Sequence, residues 1–268
     1  MTASEYQAAI TTAANLIQGS HHIVVFTGAG VSTESGIPDF RSPGGIWDIF
    51  NPEDFTFDAY LRSPEARRKN WLLVAGDDNL LTAQPNAAHQ AIAEMDRLGK
   101  LDCVITQNID DLHQKAGTPS EKTIELHGTL KWVRCLDCGR RWPVEEIIAR
   151  LRAGEEDPHC EHCGGIIKST IVSFGEMMPV EETLDAERRS SRCDLFIVVG
   201  SSLVVYPAAS MPWHALDNGA RLIIINRDPT PLDRYADVVI HASAGEVMQD
   251  ILAKVRAIAT SFSSPNQD

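Results

Sequence analysis

Ile23-Val24-Val25-Phe26-Thr27-Gly28-Ala29-Gly30-Val31-Ser32 is the stretch that decides the fold. Its first four residues are continuously apolar, the pattern of a strand buried on both faces. A Gly-rich turn follows directly. Glycine lets the backbone turn tightly and approach a ligand, and a helix starting after it would aim its first N–H groups at a phosphate. That is the dinucleotide-binding position of an α/β sheet. The full G-x-G-x-x-G spacing is not met, because Thr33 stands at the third glycine. No acidic residue ending a second strand about 20 residues on is evident either. From this stretch alone, a turn without a ligand stays open.

Similar apolar runs recur at Cys103-Val104-Ile105, Leu195 to Val199, Leu222 to Ile225 and Asp237 to Ile240. Helical spacing appears in Ser4 to Gln18, Pro85 to Leu98, Val180 to Ser190, Ala208 to Asp217 and Ala244 to Thr260. Alternating strands and helices predict a parallel α/β sheet. Two stretches break the alternation. Residues 36–57 are rich in Gly, Pro, Asp and aromatics without clear period, as expected of a functional or mobile loop. Cys135 to Cys163 is too short to build a large core of its own and reads as a metal-stapled insert. The expected division is a Rossmann-like domain over 1–127 and 169–260, with a helical insert around 58–80. A zinc-binding small domain is expected over 128–168, and a flexible tail over 261–268.

The chain has 268 residues, 43% of them apolar and 23% charged, with a net charge of −13. That composition excludes disorder and fibre for the bulk of the chain. A surface so acidic argues against nucleic-acid binding, which needs a basic face, and suits basic partners such as Lys-rich peptides. No apolar run reaches the roughly 18 residues of a membrane span, and no secretory signal is evident. A cytoplasmic location and a monomer are expected.

Cys135-x-x-Cys138 and Cys160-x-x-Cys163, separated by 21 residues, form a zinc pattern. Four thiolates close a tetrahedral shell and leave no position for water, so the metal is expected to be structural. Cys103 and Cys193 stand beside apolar runs and read as core thiols. Polar groups mark other strand ends: Thr106-Gln107-Asn108-Ile109-Asp110, Gly200-Ser201-Ser202 and Asn226-Arg227-Asp228. Ligands in open α/β sheets bind at the carboxyl ends of strands. His127 lies between a short strand and the cysteine insert. His89 and His113 fall within helical patterns and read as structural.

In order along the chain, Gly28-Ala29-Gly30-Val31-Ser32, Gly36-Ile37-Pro38-Asp39-Phe40-Arg41, Thr106-Gln107-Asn108-Ile109-Asp110 and Leu126-His127-Gly128 are followed by the four cysteines. Phe174-Gly175-Glu176, Gly200-Ser201-Ser202-Leu203 and Asn226 come after them. This ordered set, over roughly Ala14 to Val247, resembles the sirtuins, the NAD-dependent protein lysine deacylases, of prokaryotic type. Ser173 stands where an apolar or aromatic residue often precedes Phe-Gly-Glu.

The resemblance implies a Rossmann-like domain and a small zinc domain, with NAD and acyl-lysine meeting between them. It implies a reaction in which the acyl oxygen attacks C1′ of the nicotinamide ribose and expels nicotinamide. A base then helps a ribose hydroxyl attack, and water releases lysine and O-acyl-ADP-ribose. His127 is the implied base, and Asn108 positions ribose and water. Gly28, Ala29, Gly30, Ser32 and Thr33 are implied around the phosphates, with Asp39, Phe40 and Arg41 in the cofactor loop. Gln107, Ile109 and Asp110 are implied at the nicotinamide, and Gly200, Ser201, Ser202, Asn226, Asp228 and Ala244 at the adenosine half. The peptide is expected as an added strand between Phe174-Gly175-Glu176 and Leu203-Val204, with Val172 and Phe174 lining an acyl tunnel. Sirtuins that favour acidic acyl groups carry a Tyr and an Arg where Trp71 and Val74 stand here, so neutral acyl groups are expected. Arg67, Arg68 and Lys69 are expected on a solvated face. The alternatives are a hydride-transferring dehydrogenase and a catalytically silent NAD or ADP-ribose-binding module.

Overall fold

All five residues of β1 (Ile23–Thr27) are buried in the computed structural model, which describes residues 1–76, 80 and 82–263. The further strands are β2 (Leu101–Thr106), β3 (Thr123–Glu125), β4 (Trp132–Cys135), β5 (Arg141–Pro143), β6 (Ile167–Ser169), β7 (Leu195–Val199), β8 (Arg221–Ile225) and β9 (Val238–Ile240). The helices are α1 (Ala3–Gly19), α2 (Ile46–Ile49), α3 (Phe57–Arg62), α4 (Pro64–Gly76), α5 (Ala87–Arg97), α6 (Leu112–Lys115), α7 (Val144–Arg152), α8 (Val180–Ser190), α9 (Met211–Leu216) and α10 (Ala244–Ser263).

Six parallel strands lie in the order β3-β2-β1-β7-β8-β9. This is the doubly wound order, with its switch point between β1 and β7, where such sheets open a crevice. Side-chain alternation sends Ile23 and Val25 to one face, with α1, α5 and α10, and Val24 and Phe26 to the other, with α8 and α9. Apolar residues on both faces explain why the run is continuous rather than alternating.

A three-stranded antiparallel sheet, β5-β4-β6, carries the cysteines. Its core is shared: Trp71 and Val74 of α4 pack in one cluster with Val133, Val144, Ile147 and Ile167. The insert is too small to bury its own apolar face, and α4 completes it. Arg67 departs from expectation. Instead of a solvated face it is 6% exposed and forms a two-pronged pair with Asp157 at 2.8 and 2.7 Å. Arg68 is exposed beside Glu156, and Lys69 pairs with Asp54 and Glu65. The planar guanidinium suits that bidentate geometry, and the pair fastens α4 to the cysteine insert.

Residues 36–57 are more ordered than their sequence suggests. They contain α2 and a 3₁₀ turn at Pro52–Phe55, gathered on Trp47, whose ring lies 5.2 Å from Phe40, 5.6 Å from Phe55 and 5.9 Å from Phe174. The closing helix runs on to Ser263, past the expected start of the tail, and residues 264–268 lie outside the described residues. Residues 77–79 of the helical insert also lie outside them. No helix among the described residues is long and apolar enough to cross a membrane.

Candidate active site

The glycines after β1 serve the packing of two strand ends. A Cβ at Gly28 or Gly30 would lie 2.9 or 2.8 Å from the Gly200 carbonyl oxygen at the end of β7. Gly200 itself has φ +63, and a Cβ there would strike Val31 and Gly30 backbone. These glycines therefore close the switch point against itself, with Gly30 N–H donating to Gly200 C=O at 2.9 Å. The expected α-helix after the turn is absent. Two 3₁₀ turns, Ala29–Val31 and Thr33–Ser35, take its place. The Gly30, Val31 and Ser32 N–H groups are spent on the carbonyls of Gly200, Gly28 and Ala29. Thr33 donates its hydroxyl to Gly30 C=O, which gives the non-glycine third position a local use.

The end of β2 meets this turn. Ser32 Oγ donates to Asp110 at 2.7 Å and accepts from Asn108 Nδ2 at 3.0 Å, while the same amide reaches Gly28 C=O at 3.2 Å. Asp110 also accepts Leu112 N–H at 3.0 Å. All three side chains are buried. The Gln107 side chain donates to Ser201 Oγ at 2.8 Å, and Ile109 C=O accepts Leu130 N–H. Gln107 and Ser201 thus tie β2 to β7 across the switch point.

His127 follows β3 and faces this cluster through the Gln107 backbone. Its Nδ1 lies 3.1 Å from Gln107 C=O. A carbonyl only accepts, so Nδ1 carries the proton and Nε2 is left as a base. Burial lowers the His127 pKa below its ordinary 6.5, and the bond to Gln107 opposes that shift. Behind it, Gly128 has φ +72, and His127 C=O accepts Val172 N–H at 2.9 Å. His89 and His113 are buried against each other. Their rings are 4.9 Å apart, and burial lowers both, His89 to about 4.

Of the residues expected at the adenosine half, Gly200, Asn226, Asp228 and Ala244 line a cleft of ≈ 50 Å³ together with Gly30, Thr33 and Asp39, whereas Ser201 and Ser202 do not. Asn226 Nδ2 donates to Asp228 C=O. Asp39 is turned inward: it accepts from Arg41 N–H, Ser42 N–H and Ser42 Oγ. Burial raises its pKa, but those bonds outweigh it and hold the carboxyl below its ordinary range. Arg41 is exposed, and Ser202 is half-buried.

The expected peptide edge is partly occupied. Phe174 N–H donates to Phe55 C=O at 3.1 Å, and Phe174 C=O accepts Phe57 N–H at 2.8 Å. The Glu176 carboxylate is also engaged, by Ser173 N–H, Lys168 and Arg134. Gly175 and Val204 are exposed, while Leu203 is buried at φ +56. That conformation is costly for a branched residue and is typical of functional loops.

The four cysteine sulfurs lie within 4.8 Å of one another, with Cys135 to Cys163 at 3.5 Å and Cys138 to Cys160 at 3.7 Å. A tetrahedron with arms of about 2.3 Å has edges of about 3.8 Å. The set therefore fits zinc, and none of the four is in a disulfide.

Three contributors were not found from sequence. Trp47 organises the loop and has no local signal. Glu34 accepts Ser243 Oγ and Gly245 N–H at the start of α10, where negative charge is favoured. Asn86 caps α5 and donates to Val31 C=O and Ser35 Oγ, fixing the far side of the turn. Its place ahead of Ala87-Ala88-His89 is a helix-start signal that would have found it.

Comparison with known proteins agrees with this geometry. The Sir2 family model matches residues 28–207. An NAD-dependent protein deacetylase of Thermodesulfovibrio yellowstonii is 46% identical over 253 residues, covering 94% of this chain and 97% of that protein. A structure solved for the mechanism and regulation of Sir2 enzymes is 42% identical with a TM-score of 0.86, covering 94% of this chain and 99% of that one. A Sir2 histidine-to-alanine variant with a deacetylated p53 peptide and 3′-O-acetyl ADP-ribose has a TM-score of 0.85 at 38% identity, covering 90% and 96% of the two chains.

Proposed function

The chain belongs to the Sir2 family, and from that premise we propose that it is an NAD-dependent protein lysine deacetylase. It would convert an acyl-lysine peptide, NAD and water into free lysine, nicotinamide and O-acyl-ADP-ribose. The observation that carries this reading is the His127 ring: Nδ1 is held by Gln107 C=O, and Nε2 has no partner among the described residues. Asn108 and Asp110, which follow Gln107 after β2, form one buried cluster with Ser32 of the turn after β1.

NAD, when bound, supplies a ribose carbon made reactive by its cationic nicotinamide leaving group. In this reading His127 Nε2 takes a proton, and its lowered pKa keeps it neutral and competent at pH 7. Asn108, oriented by Gly28 C=O and Ser32 Oγ, positions ribose and water. Asp110, fixed by Ser32 and Leu112, and the Ile109 N–H bind the carboxamide. Ala29, Thr33 and Arg41 serve the phosphates, and Asn226, Asp228, Ser202 and Ala244 the adenosine. Phe40 shields the ribose from water. Cys135, Cys138, Cys160 and Cys163 hold a zinc that closes the small sheet and takes no part in the chemistry.

The acyl-lysine peptide adds as a strand between Gly175-Glu176 and Leu203-Val204. Because Phe174 already pairs with Phe55 and Phe57, its backbone supports the groove and its ring lines the acyl tunnel with Val172. Neutral acyl groups are preferred over succinyl or malonyl. Trp71 and Val74, 2% and 3% exposed in an apolar cluster, offer no cation to an acidic acyl group, and burying one unpaired is costly. The test is kcat/KM on one peptide carrying acetyl-lysine or succinyl-lysine. A succinyl value equal to the acetyl value or above it refutes the acyl assignment.

A further inference from the structure

Lys168 sits on β6, between the cysteine sheet and the segment that leads to the peptide edge. Its side chain is 2% exposed, yet all three ammonium protons have acceptors. Nζ donates to Ser169 C=O at 3.3 Å, to Ile171 C=O, and to the Glu176 carboxylate at 2.8 Å. Three donors on three acceptors is the full capacity of an ammonium group. The Tyr60 ring lies 5.8 Å from Nζ, and Tyr60 Oη donates to Ile167 C=O at 2.7 Å.

These acceptors are not scattered. Ser169, Ile171 and Glu176 belong to one segment that bends around the ammonium. The same segment touches the catalytic machinery at Val172, whose N–H donates to His127 C=O, and the cofactor loop at Phe174. Glu176 closes the bend by accepting Ser173 N–H at 2.9 Å and receives Arg134 at 3.1 Å. Arg134 and Lys168 are cross-strand partners on β4 and β6, one residue from the Cys135 and Ile167 pair.

We propose that the Lys168 ammonium is the template on which the peptide-binding arch, residues 169–176, is folded. Lys168 and Glu176 are positioning residues: they set the Gly175 edge for the acyl peptide without touching it. Through Arg134 and Lys168, a cross-strand pair of β4 and β6, Glu176 also ties that arch to the small antiparallel sheet. A buried charge without its partner is strongly destabilising. The arch must therefore keep its shape as long as the pair is intact, which gives the incoming strand a preformed edge and lowers its ordering cost.

This inference rests on the deacylase reading for its kinetic test, and a second readout is independent of it. In Lys168→Met, KM for an acetyl-lysine peptide rises about tenfold or more, the factor given by about 1.4 kcal/mol. The dissociation constant for ADP-ribose, measured by calorimetry, stays within about twofold. Lys168→Arg, which keeps the charge, recovers most of the loss. Glu176→Gln keeps the shape and carries the test if Lys168→Met does not fold, with the same rise in KM expected. Hydrogen exchange supplies the independent readout: the Val172 and Phe174 amides exchange faster in both variants than in the wild type. A wild type without peptide turnover overturns the deacylase reading, and exchange still reads the arch. The template role is overturned if a folded variant keeps wild-type KM and exchange, or if ADP-ribose affinity falls in parallel with peptide affinity.

Discussion

Replacing Gly128 by alanine should disable the enzyme without touching any side chain of the site. Gly128 has φ +72, a left-handed conformation that costs an L-residue about 1–2 kcal/mol. A Cβ there would lie 2.9 Å from the Thr170 carbonyl carbon and closer still to its oxygen. Thr170 has little freedom to retreat, because its N–H donates to Trp132 C=O and its hydroxyl to Thr129 C=O, both at 2.9 Å. Relieving such a contact by backbone shift adds about 1–3 kcal/mol. The total, about 2–5 kcal/mol, should lower the melting temperature by roughly 5–15 °C for a chain of this size. The shift acts on His127 directly, since His127 C=O holds Val172 N–H on the same segment. A displacement of about 1 Å can cost about 100-fold in rate. The assay pairs differential scanning calorimetry with kcat on an acetyl-lysine peptide, measured well below the variant's melting temperature. A Gly128→Ala protein with unchanged melting temperature and unchanged kcat would show that the contact between Gly128 and Thr170 does not fix the base.

Three other outcomes follow from the same geometry. Burial lowers the His127 pKa and the neutral ring is the active form, so kcat/KM should rise with pH through a midpoint below 6.5. A limb centred above 6.5 would contradict that environment, and His127→Ala should lose about 10²–10⁴-fold in kcat while keeping ADP-ribose affinity. Chelation should release one zinc per chain and unfold β4, β5 and β6, because metal binding and folding are linked there. Metal analysis with far-ultraviolet circular dichroism reads this, and protein purified without chelators that holds no zinc would refute it.

Much of the large sheet is legible in the sequence because both its faces are buried. Ile23 to Phe26, Leu195 to Val199 and Leu222 to Ile225 are continuous apolar runs, and each is a strand of the switch-point sheet. The Cys-x-x-Cys pairs were legible because four thiolates at that spacing have few other uses, and the sulfurs do converge. What could not be read depends on contacts between distant segments. The glycines of the first turn read as room for a ligand, and no local pattern announces the close approach to Gly200 that they also permit. Arg67 looked solvated because its buried partner Asp157 lies 90 residues away. Phe174 and Glu176 read as a peptide edge, and nothing local shows that Phe174 also pairs with Phe55 and Phe57 or that the Glu176 carboxylate holds Lys168. Helical period and strand pattern carry no information about such pairings, which arise only when the sheet and the insert are assembled.

We propose that this chain consumes NAD only when an acyl-lysine peptide is present, with His127 as the base. The most direct measurement is nicotinamide released from NAD, with and without an acetyl-lysine peptide, alongside deacetylated peptide by mass spectrometry. Release should depend on the peptide, be matched one to one by deacetylated peptide and O-acetyl-ADP-ribose, and be abolished in the His127→Ala variant. Release independent of the peptide, formation of NADH, or no release with a folded, zinc-loaded protein would contradict it.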